Sequence, residues 1–181
     1  MAAEKEKLAE KPLSLSLSAI EERAAQILRQ HGLFSVPVDP VTLANREGIK
    51  VFNAKFSNEG LSGMVAKRGN DVTFYINQTD APFRKRFTIA HELGHHFLHL
   101  LGDGEFVDTQ VDLFRDTETE RGTPFDKTAE VQANQFAAAL LMPADLLREA
   151  YQQTQDVSQL ARKFNVSEEA MAIRLARLGL A

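Results

Sequence analysis

Residues 86–99 read Arg86-Phe87-Thr88-Ile89-Ala90-His91-Glu92-Leu93-Gly94-His95-His96-Phe97-Leu98-His99. Asp80 and Pro82 stand just upstream, as residues that open a helix, and Gly102 stands downstream as one that closes it. Phe83, Phe87, Ala90, Gly94, Phe97 and Leu101 recur at steps of three and four. That spacing predicts a helix from about Pro82 to Leu101 with those residues as its core face.

Within it, His91-Glu92-Leu93-Gly94-His95 places two imidazoles one turn apart on one face. Rings so placed converge on a single metal ion. Glu92 projects about 100° round from His91, close enough to act as a base without being a ligand. The chain has no cysteine. Thiolate sites and disulfides are therefore excluded, and further ligands must be His, Asp or Glu. His96 points about 100° past His95, away from the pair. His99 lies about 12 Å along the axis from His91. Two bonds of about 2.1 Å do not span that gap, so His99 is expected to support or pack rather than ligate. His31 belongs to another segment.

A third ligand must come from elsewhere. Residues 127–142 predict a second long helix, rich in alanine (Ala133, Ala137, Ala138, Ala139) so that another helix can approach closely, and broken by Pro143. Glu130 opens it, and Asn134 follows one turn on, among Ala133, Phe136, Ala137, Leu140 and Leu141. A carboxylate buried beside so apolar a face needs a partner. A solvated first-turn Glu, favoured by the helix dipole, is the plainer alternative. Asp126 and Glu120 are rival carboxylates.

Outward from these helices the pattern changes. Ser18 with Glu21 resembles a capping box opening a helix to about Gln30, ended by Gly32. Asp39-Pro40 opens a short helix that Gly48 stops. Ile49 to Phe52, Leu61 to Ala66 and Val72 to Ile76 alternate as strands, the last two joined at Gly69-Asn70-Asp71. The strand Val72 to Ile76 is a candidate edge for an extended substrate, with plain sheet packing as an equal alternative. Residues 103–125 are acidic and irregular, with a strand expected at Val111 to Phe114, and read either as a lid over the cleft or as a disordered insertion. The end reads as helix over Asp156 to Phe164, a turn at Asn165-Val166, and a last helix from Ser167 to Leu178.

The 181 residues carry a formal charge of −4, so the chain as a whole is not built to hold nucleic acid. No apolar run reaches the length of a membrane span. The alternating Lys, Glu and Ala of residues 1–12 lack the apolar stretch of a secretory signal, which predicts a cytoplasmic protein.

Two long stretches then carry a resemblance. They are Arg86 to His95 with Leu98-His99, and Glu130-x-x-Ala133-Asn134-x-Phe136-Ala137-Ala138-x-Leu140-Leu141-Met142-Pro143. With Pro37-Val38-Asp39-Pro40, Ile76-Asn77, Leu160-Ala161, Phe164, Val166-Ser167 and Arg174-Leu175, the chain resembles the ImmA/IrrE family of metallo-endopeptidases. The resemblance implies an α+β fold: a zincin-like domain whose small, mostly antiparallel sheet packs on helices, followed by a C-terminal helix-turn-helix-like segment. The division expected is a flexible tail over 1–16, a zinc metallopeptidase domain over 17–143 and a helical subdomain over 144–181. The resemblance further implies zinc on His91, His95 and Glu130, with Glu92 as the base. Manganese or another divalent ion is an alternative occupant. The implied substrate is a helix-turn-helix repressor, cleaved to release stress, phage or mobile-element genes. His99, Tyr75, Tyr151 and Asn134 are candidates to support the ligands or to steady the oxyanion.

Two other readings compete. Residues 156–179 have the shape of a helix-turn-helix, with Arg162, Lys163, Arg174 and Arg177 as positive charges. Glu168 and Glu169 at the entry of its second helix oppose contact with phosphates, so direct DNA binding is the less favoured reading. A binding partner of toxin or antitoxin type, with catalysis secondary, is the other.

Overall fold

In the computed structural model α3 (Pro82–Leu98) runs through the middle of the protein rather than along its surface. The structure describes residues 15–57, 61–99, 104–108 and 124–181, with 104–108 and 124–126 as backbone only. Every residue from Phe87 to Gly94 is buried, so this helix is enclosed on all sides over two turns. The single apolar stripe read from the sequence is too narrow. Phe83, assigned to it, is 48% exposed, because the first turn emerges from the core. Pro82 supplies the N1 position, where its missing N–H costs nothing. The helix ends at Leu98, short of the expected Leu101: His99 has turned extended at φ −126° and ψ 136°.

The sheet holds β1 (Lys50–Ala54), β2 (Gly63–Arg68), β3 (Asp71–Asn77) and β4 (Gly104–Asp108) in the order β1-β3-β2-β4. β1 runs parallel to β3, while β2 pairs antiparallel with both β3 and β4. Gly69, at φ +59°, and Asn70 make the turn between β2 and β3. Val72, Phe74 and Ile76 alternate inward against the helices, and Val65 joins them from β2. β3 thus has a partner on each side and offers no edge to a substrate, contrary to the sequence reading. β4 lies in a segment expected to be irregular. The strand expected at Val111 to Phe114, most of the 103–125 loop, and residues 1–14 of the expected tail lie outside the described residues.

α1 (Leu17–Gln30) and α2 (Pro40–Arg46) precede the sheet. Ser16, not Ser18, caps α1, its side chain accepting from the Ala19 N–H at 3.2 Å. With Ser16 as the cap, Glu21 stands at the fifth helical position rather than the third, out of place for a capping box, and pairs with Arg174 instead. Asp39 caps α2 as expected, accepting from Val41 N–H at 3.0 Å. α4 (Pro124–Leu141) begins three residues before the expected start, so Glu130 sits in its second turn rather than its first.

One core cluster joins α1, α2, the sheet, α3 and α4 around Phe74, Leu93 and Phe136. A second joins the end of α4 to α5 (Ala144–Gln153), α6 (Val157–Phe164) and α7 (Glu168–Arg177), around Leu147, Phe164 and Met171. Burying a side chain such as Phe74 contributes roughly 2–3 kcal/mol. Val166 packs on both clusters. Arg86 bridges them from α3, donating to the carbonyls of Val38 and of Asn165, the latter at 3.1 Å. Among the described residues no helix is long and apolar enough to cross a membrane.

Candidate metal centre

α3 and α4 cross where neither carries bulk. A Cβ built on Gly94 would lie 2.9 Å from Ala133 Cα and 3.1 Å from its carbonyl oxygen. Only glycine allows that approach, which the alanine-rich sequence of α4 anticipates. The approach brings the polar face of α4 onto the histidines of α3. Glu130 Oε2 lies 3.2 Å from His91 Nε2, and Glu130 Oε1 lies 3.2 Å from His95 Nε2. The two Nε2 atoms are 3.0 Å apart. Among the described residues, His91, His95 and Glu130 are the one group with a ligand geometry of this kind.

The distances suit one small cation. Donors about 2.1 Å from a tetrahedral zinc stand roughly 3.4 Å from each other. An imidazole pair with one carboxylate is also the ligand chemistry of that ion. No element has to move for the three atoms to share it.

His91 is wholly buried, and its Nδ1–H donates to Asn134 Oδ1 at 2.8 Å. That bond holds the ring with Nε2 turned toward Glu130. Burial pushes the Glu130 carboxyl up, but hydrogen bonds from His91 and His95, and the charge those rings carry, hold it well below the usual carboxylate range. Glu130 therefore stays ionised in any neutral solution.

Glu92 is 3% exposed and sits on the face of α3 turned to β2. There it meets Thr88, one turn back, and Gly63. The His99 ring lies tilted against that of His95, ring centroids 5.6 Å apart. Burial and the neighbouring histidines shift its pKa downward. Asn134 and His99 are thus placed beside the group. Tyr75 is not: it lies on the sheet face opposite Phe74 and Ile76 and stacks on Phe52 at 6.1 Å. Tyr151 packs on the second core cluster. His31 and His96 both approach Glu47, at 2.7 and 3.7 Å, away from the pair. Glu120 lies outside the described residues, and the side chain of Asp126 is not described.

Gly63 and Thr88 were not singled out by sequence. The available signal was a glycine opening a strand, which often marks a close approach of another group.

In the C-terminal helices, Asn165 takes the left-handed conformation (φ 54°) between α6 and α7, and Ser167 caps α7. Arg174 faces inward at 3% exposure, bonded to the Met142 carbonyl and to Glu21. Of the four basic side chains noted there, only Arg162, Lys163 and Arg177 are exposed, beside exposed Glu168 and Glu169.

The sequence model of a peptidase family described as the IrrE N-terminal-like domain matches residues 44–176. The radiation response metalloprotease IrrE of Deinococcus deserti is 35% identical over 105 residues, covering 56% of this chain and 34% of that protein. The protein of the same description from Deinococcus radiodurans is 32% identical over 96 residues, covering 51% of this chain and 27% of that one. This chain matches only about a third of their length. Among solved structures, a Mycobacterium tuberculosis transcriptional regulator superposes with a TM-score of 0.59 at 19% identity, covering 87% of this chain and 46% of that one. That likeness concerns the fold alone.

Proposed function

This chain belongs to the peptidase family of the IrrE N-terminal-like domain, and on that premise we propose that it is a metal-dependent endopeptidase with its active centre at His91, His95, Glu130 and Glu92. The observation that carries the reading is the convergence of three donor atoms at 3.0–3.2 Å beside a buried, non-ligating glutamate. His91, His95 and Glu130 would hold a divalent ion, zinc by preference, which would supply Lewis acidity to activate a water. Glu92 takes the proton of the attacking water on its carboxylate and passes it to the leaving amine. Asn134 holds the His91 ring in register through the hydrogen bond to Nδ1. Among the described residues three protein ligands gather there, whereas a structural site would be closed by four.

The catalytic unit in this reading spans residues 17–143, with 144–181 as a helical subdomain that packs on it or grips the substrate. The proposed substrate is a cytoplasmic helix-turn-helix repressor, whose cleavage releases stress, phage or mobile-element genes. The test is incubation with the repressor encoded beside the gene, with and without a chelator, read by intact mass. Chelator-sensitive appearance of two fragments is expected. An intact repressor in both samples rejects this substrate.

One observation favours a second reading, in which α6 and α7 bind DNA or a protein. They form two short helices across a tight turn with three exposed basic side chains. The internal role of Arg174 and the exposed Glu168 and Glu169 weigh against DNA. Salt-dependent retention on DNA at sub-micromolar protein is its test.

A further inference from the structure

Gly63 begins β2 and is buried against the face of α3 that carries Thr88 and Glu92. Those two residues, four apart, project from the same side of the helix. A Cβ built on Gly63 would lie 2.8 Å from Thr88 Cγ2 and 3.2 Å from Glu92 Oε1. The first separation is an overlap, and the second is tighter than ordinary contact. Gly63 does not have a positive φ, so an L residue could adopt this backbone. The need for glycine here is spatial.

Neither side can retreat easily. Gly63 is paired with Ile76 on one flank and with Asp108 on the other. The chain just before it is pinned by Asn77, whose N–H donates to the Ser62 carbonyl at 2.9 Å and whose side chain donates to the Leu61 carbonyl at 2.8 Å. Thr88 is wholly buried, and its hydroxyl donates to the Arg84 carbonyl at 3.1 Å, which fixes the direction of its methyl.

We propose that Gly63 is a positioning residue for Glu92: its missing side chain leaves the space that the Glu92 carboxylate occupies. This rests on Glu92 being the base in the reading above. A methyl at position 63 pushes the carboxylate off its place, and a base displaced by even a fraction of an ångström loses proton-transfer efficiency. The atoms nearest the added Cβ are those of Thr88, Glu92 and the Tyr75 carbonyl, and no metal ligand is among them.

The test is a cycle of Gly63→Ala, Thr88→Ser and the double variant. Thr88→Ser removes the methyl that the new Cβ would strike and keeps the hydroxyl that bonds Arg84. Thermal unfolding of the metal-free proteins reads the steric clash without any catalysis. Gly63→Ala is expected to unfold several degrees below wild type, and the double variant to regain at least about half of that loss. A crystal structure of Gly63→Ala, or of the double variant should the single one not fold, is expected to show the Glu92 carboxylate displaced. With the neighbouring repressor as substrate, Gly63→Ala is expected to keep about one zinc per chain. Its kcat falls about tenfold or more with KM within about twofold, and Thr88→Ser restores much of the rate. Additive losses in unfolding temperature, an unmoved carboxylate, a double variant no better folded than the single one, or Gly63→Ala hydrolysing at the wild-type rate would each overturn the proposal. Absence of repressor hydrolysis by the wild type would reject that substrate instead, leaving the unfolding cycle and the carboxylate position to decide the steric claim.

Discussion

Gly94 of α3 and Ala133 of α4 approach so closely that a methyl on Gly94 would stand 2.9 Å from the Ala133 Cα. The contact is backbone against backbone, and it sits one residue before His95 on one helix and one before Asn134 on the other. It sets the helix separation that lets Glu130 reach both imidazoles.

Gly94→Ala therefore has two expected effects. Overpacking at a tight helix crossing costs about 1–3 kcal/mol, to be read from denaturant midpoints at constant m-value. Spreading the helices also weakens the ion site, to be read by chelator competition. A variant with full stability and unchanged metal affinity would show that the crossing tolerates a methyl and does not set the site.

Asn134→Ala removes the acceptor of the His91 Nδ1–H bond. Loss of such a supporting bond lowers metal affinity by about 10–100-fold. The helix content should be unchanged, since Asn134 lies within α4 and its side chain caps nothing. Competition with a chromophoric chelator measures the affinity, and circular dichroism checks the helix.

Metal occupancy should fall as the solution is acidified, and the imidazoles should set where. His91 and His95 bind an ion only through an unprotonated ring nitrogen, so protons compete with it. Glu130 is held ionised to well below the usual carboxylate range, so it does not contribute to the loss near neutrality. Titrating zinc release between neutral and mildly acidic pH should give a proton dependence steeper than one. Release that follows a single carboxylate in the acid range would contradict this.

The elements that position the site were legible because their signals are local. The histidine spacing, the apolar steps and the prolines of α3 and α4 are all visible in short windows, and so are the caps at Asp39, Asp156 and Ser167. Ser16 and Ser18 both offer a hydroxyl near the helix start, and the spacing of Ser18 to Glu21 imitates a capping box although Ser16 is the cap. The strand order β1-β3-β2-β4, with β1 parallel to β3, depends on long-range pairing that no local pattern encodes. Tyr75 could have been set aside earlier: buried Phe74 and Ile76 on either side of it send its ring to the opposite face. The wall that Gly63 makes for Glu92 is a contact between segments far apart in sequence, and only the fold reveals it.

The most direct measurement pairs zinc content and repressor cleavage on one sample of Glu92→Gln. The carboxamide keeps the size of the side chain and removes its basicity, while His91, His95 and Glu130 are untouched. The expected result is about one zinc per chain, as in wild type, with hydrolysis slowed by about two orders of magnitude or more. Cleavage at the wild-type rate by the zinc-loaded variant would remove Glu92 as the base and with it the proposed chemistry of the site.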